Sequence, residues 1–64
     1  MNSFEEKIVR GKLTALEVGL QSGAIPSEII CRDARSLLTI EEITEDLNLR
    51  IQNLIQAASL DEEE

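Results

Sequence analysis

Residues 37–58, LLTIEEITEDLNLRIQNLIQAA, carry the densest apolar periodicity in the chain. They also carry all of the net negative charge outside the last four residues. Leu and Ile recur there at intervals of three and four, the period of an amphipathic helix. Whatever this face packs against must be aliphatic, because Phe4 is the only aromatic residue among 64. A chain this short is one domain at most and buries only about 60% of its unfolded surface. Such domains need disulfides, a metal, close helix packing or self-association. Cys31 is the lone cysteine and histidine is absent, which removes the first two. Close packing and self-association remain.

Upstream, Ser3 and Glu6 have capping-box spacing, and Glu5 and Glu6 suit the positive end of a helix dipole. A first helix is expected from there to Gln21 or Ser22, with Phe4, Ile8, Val9, Leu13, Leu16 and Leu20 at helical spacing. Gly23 is placed to stop it in a left-handed conformation. Gly11, Ala15 and Gly19 form a second stripe, of small residues. Glycine inside a helix costs about 1 kcal/mol relative to alanine, so the stripe predicts close approach of another helix. Pro26 fits the first position of a second helix, which buries Ile29, Ile30, Ala34, Leu37 and Leu38.

Three readings of residues 37–58 compete. In the first, one unbroken helix runs from Pro26 to Ser59. A seven-residue repeat passes through it, with Ile30, Leu37, Thr44, Ile51 and Ala58 in one column and Asp33, Ile40, Leu47 and Leu54 in the other. Such a helix is on the order of 50 Å long and needs a second copy of the chain to cover its apolar face. In the second, the helix breaks at Thr39, where Thr39 and Glu42 form a capping box, Leu38 and Ile43 a hydrophobic staple, and Glu41 and Glu42 a first acidic turn. In the third, the chain breaks again at Asn48, a residue type that tolerates the left-handed turn. Residues 38–49, LTIEEITEDLNL, then resemble the first helix and turn of helix-turn-helix DNA-binding units. That resemblance implies a reading helix near residues 50–58, with Arg50, Gln52, Asn53 and Gln56 facing bases. A helical Asn48 removes its structural support.

Charge separates the functions. Residues 1–35 carry five cations and five acids, whereas residues 36–64 carry Arg50 against eight acids, so the whole net charge of −7 lies in the second half. That half repels phosphate backbones and anionic lipid and attracts a basic partner. Candidate contacts for a basic protein are Glu41, Glu42, Glu45, Asp46, Asp61, Glu62, Glu63 and Glu64. Without histidine or a calcium-loop spacing these acids read as a solvated face, and no metal or other cofactor is expected. Cys31, beside Ile30, reads as a small core residue; with no histidine partner it offers no hydrolase chemistry. No glycine-rich phosphate loop is present, and no small-molecule substrate or enzymatic activity is expected. The lone cysteine, the acidic start at Glu5 and Glu6 and the lack of a long apolar run suggest a cytoplasmic protein without membrane or nucleic-acid partners.

The expectation is therefore an all-α helical hairpin or three-helix unit over residues 1–60, with a mobile acidic tail at 61–64. It dimerises into a four-helix-bundle-like assembly. The expected core is Phe4, Ile8, Leu13, Leu16, Leu20, Ile30, Leu37, Ile40, Ile43, Leu47, Ile51, Leu54 and Ile55. Leu37, Ile40, Leu47, Ile51 and Leu54 are expected to form the self-association surface. The function expected is a small acidic protein–protein interaction or regulatory protein. The alternatives are the DNA-binding regulator and an antitoxin-like regulator of a basic partner.

Overall fold

The computed structural model describes residues 1–62 and forms three α-helices: α1 (Ser3–Ser22), α2 (Ser27–Leu37) and α3 (Glu45–Glu62). The all-α class holds, with no strand among the described residues.

The start of α1 lies one residue earlier than the capping box at Ser3 predicts. The Asn2 side chain accepts the Glu5 amide at 2.8 Å, and Ser3 is already helical. Asn2 to Glu5 has the same three-residue spacing as Ser3 to Glu6, and asparagine ranks among the best caps. At the other end Gly23 takes φ 74°, and its amide donates to the Leu20 carbonyl at 3.3 Å. This is the left-handed stop that glycine tolerates without strain. Pro26 sits just outside α2, and its carbonyl accepts the Ile30 amide at 3.1 Å.

The unbroken 26–59 helix does not form. After Leu37 the amides of Leu38, Thr39 and Ile40 donate to Arg35, Ser36 and Leu37, which tightens the chain into a 3₁₀-like turn. The Thr39 hydroxyl donates back to the Ser36 carbonyl at 2.7 Å, so it closes α2 and does not open α3. Glu42, placed by the capping-box reading in a first helical turn, adopts φ 63°. The new helix begins after Thr44, whose hydroxyl accepts the Leu47 amide at 3.4 Å and whose carbonyl accepts the Asn48 amide at 2.9 Å. The break near Thr39 is thus correct, but the restart is five residues later. The delay leaves Ile40 and Ile43 in the connection, half-buried against the core. Asn48 is helical, so the turn required by the third reading is absent. Asp61 and Glu62 extend α3 and are not a detached tail; Glu63 and Glu64 lie outside the described residues.

Cross-links between helices set their directions. Arg10 meets Asp46 at 3.2 Å and Arg50 meets Glu17 at 2.6 Å, which makes α1 and α3 run the same way. Ser27 donates to Asp61, and Cys31 lies 3.6 Å from Ser59, so α2 runs against α3. The result is an up–down–up unit.

Its core is Val9, Leu13 and Leu16 from α1, Ile30, Cys31, Ala34 and Leu37 from α2, and Leu47, Ile51, Leu54 and Ala58 from α3. Leu13, Ile30, Leu47 and Ile51 are the largest side chains fully enclosed. The packing of α2 on α3 is the most extensive in the molecule, and α1 lies more lightly across the pair. Two expected core residues are not in the core: Phe4 is 71% exposed and Ile8 is 44% exposed. Val9 takes the inward place beside them.

Candidate interaction surface

Of the five residues expected to form a self-association surface, Leu37, Leu47, Ile51 and Leu54 are buried within the single chain, and Ile40 is half-buried. Their periodicity marks a buried face correctly, but α1 and α2 cover it, so it is not an association surface in this fold. Of the seven-residue seam, Leu47, Ile51, Leu54 and Ala58 form the inner face of α3, while Ile30 and Leu37 are core residues of α2.

Exposed apolar surface lies elsewhere. In α1 the residues Phe4, Ile8, Gly11, Ala15, Val18 and Ser22 are separated by alternating steps of four and three. At 3.6 residues per turn such steps keep to one face. All six are exposed, and Val9, Leu13, Leu16 and Leu20 occupy the face turned to the core. Solvent therefore meets a continuous stripe containing no charge and three large apolar side chains, Phe4, Ile8 and Val18 (56% exposed). Lys7 and Thr14 flank it on one side, and Glu5 and Lys12 on the other.

The close helix packing expected at Gly11, Ala15 and Gly19 is not present within the chain. A Cβ added at Gly11 meets nothing within 4 Å, and Ala15 is exposed. Gly19 is buried, but its neighbour is the connection after its own helix. A Cβ there would overlap the end of the Ile25 side chain and stand 3.1 Å from Ile25 Cβ. The Ile25 amide also donates to the Gly19 carbonyl at 3.3 Å. Gly19 thus lets the turn fold back on α1, and no second helix is involved.

The acidic candidates fall into two groups. Asp46 accepts from Thr44 Oγ1 at 2.8 Å and from Arg10 at 3.2 Å, and these two partners, Thr44 first, hold its carboxyl below the usual range. The Arg10 guanidinium is raised in turn, mainly by its hydrogen bond to Asp46. Glu42 pairs with the Met1 ammonium, and that hydrogen bond lowers the Glu42 carboxyl and raises the amino group. Glu41 and Glu45 are exposed and have no ion-pair partner among the described residues. Asp61 accepts from Ser27; Glu62 ends α3. No group of acids, with or without Cys31, is spaced to hold a metal among the described residues.

The DNA-contact candidates sit on α3, which is continuous through Asn48. Arg50 is engaged with Glu17 of α1. Gln52, Asn53 and Gln56 lie on the exposed face together with Leu49 and Leu60, and Gln52 bonds Asn48 one turn back. Cys31 is buried, with its thiol 3.8 Å from the Ile55 carbonyl, in keeping with a core role. No described helix is long and apolar enough to cross a membrane.

No protein-family model matches the chain, and neither a curated protein nor a solved structure does. Function must be argued from the surface itself.

Proposed function

We propose that this chain is a small helical interaction protein that works as a homodimer and acts by presenting surface, without catalysis. The observation that carries this reading is the exposed apolar stripe on α1. Isolated exposed apolar side chains are ordinary, but a contiguous row of them marks an interaction surface. Phe4, Ile8 and Val18 lie in one row on a helix whose other face already serves the core. The size of the chain agrees, since a unit this small gains most from burying surface in a second copy.

A basic protein partner is the second reading. It is supported by the exposed carboxylates Glu41 and Glu45, which have no ion-pair partner among the described residues, and by the concentration of the whole net charge of −7 in residues 36–64. The two readings use different residues and are compatible. The helix-turn-helix reading has lost its turn at Asn48 and the freedom of Arg50. The buried, unpaired thiol of Cys31 supports a reducing, cytoplasmic setting.

Sedimentation equilibrium from micromolar to millimolar concentration tests the homodimer. The reading predicts a mass that rises from one chain to two and stops there. A compact monomer across the whole range refutes it.

A further inference from the structure

We infer that the dimer forms by antiparallel pairing of α1 with α1 of a second copy about a two-fold axis, through the Phe4–Ile8–Gly11–Ala15–Val18–Ser22 stripe. This rests on the homodimer reading and names its surface, orientation and register.

The stripe is complementary to itself only when reversed. Laid antiparallel, with the axis between Gly11 and Ala15, Phe4 faces Ser22 of the second copy, Ile8 faces Val18, and Gly11 faces Ala15. The reciprocal layers then set Phe4 against the small Ser22, the branched Ile8 and Val18 together, and the small Gly11 and Ala15 together. The Gly11–Ala15 layers at the centre let the helix backbones approach closely, and nothing in the chain itself occupies the space above Gly11. Laid parallel, the same stripe sets Phe4 on Phe4 and Gly11 on Gly11, so the aromatic ends wedge apart helices whose middle has nothing to fill it. The parallel arrangement also brings Lys7 beside Lys12 of the second copy, a repulsive flanking pair in a two-stranded seam.

Charge favours a second copy of this face over a charged partner. No stripe residue is charged. Helix α1 itself balances Glu5, Glu6 and Glu17 against Lys7, Arg10 and Lys12, so two copies meet through a neutral element. The acids that make the chain negative lie in the α2–α3 connection, in α3 and in the last two residues of the sequence. In the antiparallel pair Lys12 meets its own mate once across the axis, against two symmetry-related Lys7–Lys12 meetings in the parallel pair.

The extent is adequate for reversible pairing. Helices of 20 residues are about 30 Å long and, with side chains, about 10 Å wide. Full overlap therefore covers about 300 Å² on each copy, on the order of 600 Å² in total, which is below standard interfaces and fits a weak, reversible pairing.

Gly11→Gln tests the surface without damaging the monomer, because its side chain enters open space and glutamine suits a helix better than glycine. The expected result is a dimer weakened at least tenfold, together with a higher melting temperature at concentrations where both proteins are monomeric. Orientation is read by disulfide trapping in a Cys31→Ala background. Ser22→Cys chains mixed with Phe4→Cys chains should oxidise to the mixed dimer. Ser22→Cys chains alone should not, since two copies of residue 22 are about 27 Å apart along an antiparallel pair. Preferential self-trapping of Ser22→Cys overturns the antiparallel register. A dimer that Gly11→Gln leaves intact overturns the α1 surface but leaves the homodimer standing. Wild-type protein that stays monomeric to millimolar concentration overturns both.

Discussion

The two helical glycines of α1 should respond to the same substitution in opposite ways. Gly→Ala in a helix interior gains about 1 kcal/mol of propensity wherever the new methyl is free. At Gly11 it is free, because no atom lies within 4 Å of the added Cβ. Gly11→Ala should therefore stabilise the monomer by about 1 kcal/mol, or roughly 4–8 °C in Tm for a domain of this size. At Gly19 the methyl overlaps Ile25 Cδ1, lies 2.5 Å from Cγ1, and is 3.1 Å from Cβ. The end of the Ile25 side chain can rotate away, but its Cβ cannot move without the turn that the Gly19 carbonyl anchors. Overpacking of this kind typically costs about 1–3 kcal/mol, which cancels or exceeds the propensity gain. Gly19→Ala should be neutral to destabilising by about 2 kcal/mol. The assay is urea unfolding followed by circular dichroism, at protein concentrations low enough to hold each variant monomeric. Ile25→Ala supplies the control, since in that background Gly19→Ala should recover its propensity gain. Equal stabilisation by Gly11→Ala and Gly19→Ala in the wild-type background would refute the assignment of Gly19 to the Ile25 contact.

Thr44→Ala should cost about 0.5–2 kcal/mol through loss of the α3 cap, whereas Thr39→Ala should cost less; the reverse order in thermal melts would restore the helix start at Thr39. Ile51→Ala opens a cavity beneath all three helices and should cost about 2–5 kcal/mol, a large part of the roughly 3–10 kcal/mol expected for a chain of this length. Loss of the cooperative transition in that variant is the expected signature, and a near-wild-type melt would contradict the core assignment. Asp46 is held below its ordinary pKa in the folded chain, so it stabilises the fold above the usual carboxylate range. That contribution is lost as pH falls through the depressed value. Asp46→Asn should therefore narrow the difference in Tm between neutral and acid pH, and an unchanged acid slope would count against the Thr44 and Arg10 contacts.

The end of α1 and the start of α2 were legible because glycine and proline act locally. Gly23 must be the stop when it is the residue that best tolerates φ 74° there, and Pro26 cannot continue a helix inward from its own amide. The start of α3 was not legible in the same way. Thr39 carries the fuller set of local start signals, with Glu42, Leu38 and Ile43 all in place. Thr44 lacks a Glu or Gln three residues on; its amide partner there is Leu47. Tertiary packing decides between them, since the later start draws Ile40 and Ile43 over the core. Glu42 sits at φ 63° as a consequence, a conformation that L-residues other than asparagine and aspartate avoid. The association surface was misplaced for a related reason. Periodicity reports that a face is buried and says nothing about what buries it, so Leu47, Ile51 and Leu54 pointed equally to a second copy and to α1 and α2. The exposed stripe was present in the sequence as the alternating spacing of Phe4, Ile8, Gly11, Ala15 and Val18. Phe4 and Ile8 also fall at helical intervals from Leu13 and Leu16, which lie on the opposite face of the helix, and spacing alone does not separate the two rows.

Copies of the chain are proposed to meet through the outer face of α1. A dilution series of amide nitrogen–proton NMR spectra from millimolar to micromolar concentration tests it most directly, because each amide reports its own surroundings. The account predicts concentration-dependent shifts confined to Phe4, Ile8, Gly11, Ala15, Val18 and their flanks, with Leu49, Asn53 and Gln56 on the outer face of α3 unmoved. Shifts on α3 with α1 silent, or none anywhere across the series, would contradict it.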